Sequence, residues 1–247
     1  MLRTLFVGVF LSLYILIVGP PLLLYTLVAR NPNPLYWAGV KGVLFFVKAV
    51  GVKVRIEGLD RIPPGVCLFT ANHTSAADAP AVVGAIPRRV AILLKESLFK
   101  WPIAGQAFRA AHFIPVNRGA RDSAVASLEE ATEAMKAGQS FLIYPEGTRS
   151  PDGRLRPFKR GAFNIAMEAA VPIVPVSIAG TQFLLKKGEW VLRPGDVVIR
   201  YGPPVDVSSY TMDRRAELQA RVESLVAGGL PPDQQPLSRT SRSEKVS

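Results

Sequence analysis

From Thr4 to Ala29 the chain carries no charged residue, and Arg3 and Arg30 bracket the stretch. As one unbroken helix rising about 1.5 Å per residue, it would cross a hydrocarbon layer about 30 Å thick. Gly19-Pro20-Pro21 falls inside it, and a proline in a helix interior costs roughly 3 kcal/mol. The expectation is therefore a kinked span or a re-entrant hairpin held in a membrane. No small-x-small cleavage site follows the apolar run before Arg30, which argues against a secretory signal. A second apolar stretch, Leu35 to Val50, carries Lys41 and Lys48 on one helical face. That pattern predicts a helix lying in the headgroup plane, the alternative being a core-packing helix with two solvated lysines.

Past Gly51 the period changes. Val52, Val54 and Ile56 alternate with Lys53, Arg55 and Glu57, the mark of a half-buried strand. Strand-like runs recur at Val66 to Thr70, Val90 to Leu94, Phe113 to Val116, Ser140 to Tyr144, Ile173 to Ile178 and Val197 to Tyr201. Helical stretches separate most of them, notably Ser123 to Ala137, with Asp122 as N-cap and Gly138 past its end, and Asp213 to Val226. This alternation predicts an α/β fold with a mostly parallel central sheet flanked by helices, preceded by the membrane-associated helical segment. The expected division is residues 1–50 as anchor, 51–229 as main domain and 230–247 as a disordered tail, because the last segment is polar, proline-bearing and low in aromatics.

Charge narrows the partners without selecting one. The formal net charge is +11 and the isoelectric point about 10.1, so an anionic partner is implied: acidic lipid, a phosphorylated substrate or nucleic acid. No aromatic-and-basic RNA signature or zinc-finger spacing is present, which disfavours nucleic acid. No cluster of cysteine and histidine has metal-ligand spacing, so no metal is expected. A lone cysteine, Cys67, allows no intramolecular disulfide and sits in an apolar strand, where it reads as a small buried hydrophobe.

Candidate chemistry concentrates at two strand ends. Asn72-His73-Thr74-Ser75-Ala76-Ala77-Asp78 follows the apolar run that begins at Val66. Histidine is the side chain whose unperturbed pKa, roughly 6.5, suits proton transfer near neutrality. Residues five apart on a helix point about 140° away from each other, so His73 must precede the helix that holds Asp78 in its first turn. A turn at Thr74 and Ser75 would then let the carboxylate reach the ring. Ser75 to Asp78 also fits a capping box, which would account for Asp78 alone. The second string, Tyr144-Pro145-Glu146-Gly147-Thr148-Arg149-Ser150, ends another strand. Loops at the carboxyl ends of strands are where open α/β sheets bind ligands. No GxSxG elbow occurs, so a covalent acyl-enzyme is not suggested.

With these strings the chain resembles the glycerolipid acyltransferases typified by 1-acylglycerol-3-phosphate acyltransferase, whose blocks are HxxxxD, an arginine-bearing strand end, FPEGTRS and a proline-flanked strand. Phe113 to Arg118 is similar to the second block and Val171 to Ile178 to the fourth. Two departures are Tyr144 in the place of phenylalanine and Asn117 before Arg118. The resemblance implies a membrane-associated enzyme moving a fatty acyl group from acyl-CoA or acyl carrier protein to a lysophospholipid, most simply 1-acylglycerol 3-phosphate, to give phosphatidic acid. It implies His73 as base, Asp78 as its orienting partner, and Lys95, Arg118, Glu146, Gly147, Thr148 and Arg149 around the acceptor. No cofactor is implied beyond the acyl donor. The catalytic domain is expected on the cytoplasmic side of the cell membrane. Rival readings are the same chemistry on glycerol 3-phosphate, a lyso-ornithine lipid or another lysophospholipid, and a basic membrane-surface protein without catalysis. A further basic cluster, Arg154, Arg156, Lys159 and Arg160, is a candidate for carrier phosphates or acidic headgroups, or a charged loop in water.

Overall fold

The computed structural model describes residues 2–117, 120–185, 189 and 191–237. Two antiparallel-packed helices lead, α1 (Leu2–Ala29) and α2 (Asn33–Ala49). Of the two expectations the re-entrant hairpin is overturned: Pro20 and Pro21 lie inside one continuous helix. Tertiary contacts hold the helix on the N-terminal side of the proline pair. Before it, the Tyr14 hydroxyl donates to the carbonyl of Ala38 at 2.9 Å, and a Cβ on Gly42 of α2 would fall 2.5 Å from Tyr14 Cε1. Beside it, Ile103 fills the space next to Gly19. Among the described residues Thr4–Ala29 is the one stretch long and apolar enough to cross a membrane, and Leu5, Phe6, Leu16, Ile17 and Val28 are exposed. An exposed apolar surface of this size calls for an apolar partner, protein or membrane.

The headgroup-plane expectation for α2 needs correction. Tyr36, Gly42 and Phe46 are buried and Trp37, Val40 and Val47 pack on the main core, while Lys41 and Lys48 are exposed. The Tyr36 hydroxyl donates to the carbonyl of Val90 and accepts from its amide, which ties α2 to a strand start. It is a core-packing helix along the Tyr36, Trp37, Val40 and Val47 side, while Phe46 packs on Tyr14 of α1 and Phe45 is exposed.

The remaining elements alternate as the sequence pattern implies: β1 (Val52–Glu57), β2 (Leu68–Ala71), α3 (Asp78–Ala85), β3 (Val90–Lys95), α4 (Ala104–Ala110), β4 (Ile114–Val116), α5 (Arg121–Lys136), β5 (Ser140–Ile143), α6 (Gly161–Glu168), β6 (Ile173–Ala179), α7 (Thr181–Leu184), β7 (Gly195–Tyr201) and α8 (Arg215–Gly228). The strands form a seven-stranded sheet in the order β1-β7-β6-β2-β5-β3-β4, parallel at every pairing except β6 with β7. One core, with Phe69, Ala71, Leu142 and Val176, lies on the face covered by α2 and α3. The other, with Leu68, Phe141, Ile143 and Ile173, lies under α5, α6 and α8. Alternate residues of each central strand thus go to opposite cores, as a sheet covered on both faces requires.

Disorder from Leu230 onward is not what the structure shows for residues 230–237. Leu230 and Gln234 are buried, the carbonyl of Gln234 accepts from the Leu155 amide at 2.8 Å, and Arg154 donates to the carbonyl of Gln235. Backbone hydrogen bonds, which composition does not register, hold the segment down. Residues 238–247 lie outside the described residues.

Candidate active site

β2 ends at Ala71, and there the amide side chain of Asn72 takes over the ladder. Its Nδ2 donates to the carbonyl of Ile178 at 2.8 Å and its Oδ1 accepts from the Ile178 amide at 2.7 Å. A primary amide offers the same donor and acceptor as a peptide, so Asn72 closes the gap between β2 and β6 as the chain leaves the sheet. His73 is set by this fixture.

The chain then turns, and α3 begins at Asp78, which is fully buried. Its Oδ2 accepts three hydrogen bonds: from the Thr74 amide at 2.7 Å, from the Ser75 amide at 2.8 Å, and from His73 Nδ1 at 2.8 Å. The carboxylate does reach back to the Ser75 amide, as in a capping box, but it serves the imidazole as well. The Ser75 hydroxyl, expected to cap the helix, instead donates to the carbonyl of Leu185 at 2.8 Å and accepts from the Ala77 amide. Asp78 sits at the positive end of α3, where a negative charge is stabilised. With Nδ1–H pointed at a fixed anion, Nε2 is left with its lone pair.

The second string wraps around the first. Tyr144 stacks on the His73 ring with centroids 4.2 Å apart. Glu146 Oε1 accepts from the His73 amide at 2.6 Å and Oε2 from the Arg156 amide at 3.3 Å, while the Ser150 amide donates to the His73 carbonyl at 2.7 Å. Both main-chain groups of His73 are therefore held by the loop that follows β5. Burial raises the Glu146 carboxyl to about 8, against the lowering effect of those amides. Nothing in the spacing of the two strings points to this tether; the string marked Glu146 as important without saying why.

Gly147 turns the loop at φ +74°, a conformation that favours glycine, and a Cβ there would meet Lys159 Nζ at 2.8 Å. Thr148 and Lys95 are exposed and Arg149 is half-buried. Lys95 closes β3, the neighbour of β5, so Lys95 and the 144–150 loop stand at the same end of the sheet. Arg118 lies outside the described residues; Val116, at the end of β4, is also at that edge. Cys67 is fully buried, with its thiol raised chiefly by desolvation.

Two hollows are lined by residues next to the two strings. An apolar cleft of about 440 Å³ runs between α1, α2 and α4 and reaches Ala76, Ala79 and Pro80 beside the His-Asp turn. A smaller one of about 160 Å³ is lined by Tyr144, Gly147 and Lys159 at the ends of β3, β4 and β5. Among the described residues no group of acids, histidines and cysteines is placed to hold a metal ion.

This geometry can be set beside known proteins. Residues 53–179 match the family model described as Acyltransferase. The chain belongs to the acyltransferase family. A 1-acyl-sn-glycerol-3-phosphate acyltransferase of Limnanthes douglasii is 30% identical over 210 residues, 85% of this chain and 74% of the relative. The alpha 1-acyl-sn-glycerol-3-phosphate acyltransferase of Homo sapiens is 31% identical over 174 residues, 70% of this chain and 62% of the relative. Among solved structures, that of the 1-acyl-sn-glycerophosphate acyltransferase PlsC from Thermotoga maritima is similar with a TM-score of 0.79 and 31% identity, covering 92% of this chain and 93% of that one. The chain is thus an acyltransferase with this α/β architecture, as the resemblance implied.

Proposed function

We propose that this acyltransferase esterifies the sn-2 hydroxyl of 1-acylglycerol 3-phosphate with a fatty acyl group from acyl-CoA or acyl carrier protein, giving phosphatidic acid. The observation that carries the reading is the buried Asp78 carboxylate fixed at 2.8 Å from His73 Nδ1. His73 Nε2 takes the proton of the acceptor hydroxyl as its oxygen attacks the thioester carbonyl. The carbon–sulfur bond then breaks, and the imidazolium returns the proton to the leaving thiolate. Asp78 stabilises the transient imidazolium. Positioned base catalysis of this kind contributes about 10²- to 10⁴-fold in rate, with positioning and oxyanion stabilisation supplying the rest.

The acceptor is supported by the names of the relatives and by the cations Lys95 and Arg149 beside the 144–150 loop, with Arg118 as a further candidate. Arginine suits phosphate because its planar guanidinium grips two oxygens at once. The apolar cleft suits an acyl chain, since one end of it reaches the His-Asp turn. Membrane association is supported by the exposed apolar surface of α1. Because acyl carriers are made inside the cell, the site belongs on the cytoplasmic side of the cell membrane.

The decisive experiment incubates the purified full chain with labelled acyl-CoA or acyl carrier protein and a panel of acceptors: lysophosphatidic acid, other lysophospholipids, lyso-ornithine lipid and glycerol 3-phosphate. The expected result is labelled phosphatidic acid, lost in His73→Ala. Efficient transfer only to another acceptor would overturn the substrate assignment.

A further inference from the structure

We propose that Lys159 is a phosphate-binding residue, adding a cation to the acceptor site from outside the four blocks that the resemblance rests on. The proposal deepens the lysophosphatidic acid reading and rests on it for the identity of the natural ligand.

The segment carrying Lys159 is pinned at successive positions. The Leu155 amide donates to the carbonyl of Gln234, the Arg156 amide to Glu146 Oε2, the Phe158 amide to Glu223 Oε2 at 3.0 Å, and the Lys159 amide to the carbonyl of Pro145 at 2.9 Å. Gln219 adds a bond to the carbonyl of Phe158 at 2.8 Å. The lysine backbone is thereby fastened to the loop that also holds His73. Its ammonium reaches over the Gly147 turn, into the space that a Cβ would occupy. Among the described residues no carboxylate lies within ion-pair distance of it. A cation whose backbone is held this way, exposed at the strand ends and with no ion-pair partner among the described residues, is open to an anion supplied from outside.

Position and size choose the anion. The hollow that Lys159 lines is about 160 Å³, against about 440 Å³ for the apolar cleft, and shares Tyr144 with the His73 stack. Its wall is mostly apolar, with Leu93, Val116, Leu128 and Ile143, so Lys159 is the cation that can hold an anion among the described residues lining it, and its volume is too small for a nucleotide. In a 1-acylglycerol phosphate the reacting hydroxyl and the phosphate are joined through two carbons and an oxygen, so an anion bound on the loop whose Tyr144 stacks on His73 fits the acceptor. The diphosphate of a thioester carrier is held off by the whole pantetheine arm. The neighbouring Arg154 donates away from the site, to the carbonyl of Gln235.

The test uses the full chain with Lys159→Met, which keeps the aliphatic stem, and Lys159→Arg, which restores charge. Binding of glycerol 3-phosphate is measured by calorimetry, and KM separately for lysophosphatidic acid and for acyl-CoA. Loss of one charged hydrogen bond predicts about 10- to 100-fold weaker glycerol 3-phosphate binding and a similar rise in the acceptor KM for K159M. The KM for acyl-CoA should stay put, and K159R should recover much of the loss. Unchanged glycerol 3-phosphate affinity in folded K159M, absence of binding by the wild type, or a KM rise confined to acyl-CoA would each overturn the assignment. Should K159M not fold, Lys159→Gln is read by the same criteria. A wild type that binds glycerol 3-phosphate through Lys159 yet acylates no lysophosphatidic acid would sink the acceptor identity and leave this site standing.

Discussion

Replacing Asp78 by asparagine removes one charge and almost no volume, which makes it the sharpest probe of the His-Asp unit. Oδ2 of Asp78 accepts from His73 Nδ1, the Thr74 amide and the Ser75 amide, all between 2.7 and 2.8 Å. An asparagine carbonyl can keep the two backbone bonds, which exchanges charged for neutral acceptors and costs about 1–2 kcal/mol in stability. The chemical loss is larger. All three bonds end on Oδ2, so an asparagine carbonyl placed there still accepts from Nδ1–H but carries no charge to stabilise the imidazolium, and its NH₂ group takes the buried place of Oδ1, which has no partner. With base catalysis giving about 10²- to 10⁴-fold, we expect kcat to fall about 10³-fold, or about 4 kcal/mol in barrier. Thiol release from acyl-CoA, followed with a chromogenic disulfide, measures it directly, and a thermal melt confirms that the fold persists. Combining Asp78→Asn with His73→Ala should cost little beyond His73→Ala alone, because residues acting as a unit are not additive. A folded D78N enzyme within threefold of wild-type kcat would refute the role given to the carboxylate.

Two other outcomes follow from the tethers. Glu146 has a folded pKa near 8 and an ordinary value of 4.5, so the native state holds a proton that the unfolded chain gives up. Its contribution is neutral below about pH 4.5 and increasingly destabilising as pH rises toward 8, so the midpoint for urea unfolding should fall across that window and Glu146→Gln should flatten the fall. Asn72→Ala leaves the amide and carbonyl of Ile178 without their Asn72 partner, and chemical denaturation should show a loss of about 2–4 kcal/mol; a loss under 1 kcal/mol would mean that Asn72 does not bridge the strands.

Much of this site is legible in the sequence, for identifiable reasons. The contact between His73 and Asp78 could be inferred because helix geometry forbids it inside a helix and a start at Asp78 permits it. The parallel sheet could be inferred from strands that alternate with helical stretches. The order of the strands could not: β1 is an edge strand paired with β7, the last in sequence, and the antiparallel step from β6 to β7 has no local signature. Proline arithmetic left a hairpin open at α1, since local propensity ignores the Tyr14 and Ile103 contacts on the N-terminal side of the proline pair. The start of α5 was misplaced slightly: Ala120 occupies the cap position and Asp122 lies in the first turn. The role of Glu146 was hidden for a different reason, because its partner is a main-chain amide 73 residues away and a peptide group leaves no mark in a residue pattern.

The bonds from Glu146 and Ser150 to the main chain of His73 make two remote stretches of chain a single mechanical part. Neither can fray without the other. The amide protons of His73 and Ser150 should accordingly exchange with solvent in one cooperative opening, and a partly melted molecule will have lost its base before it loses its sheet. The backbone that presents the base thus depends on a glutamate 73 residues further along the chain.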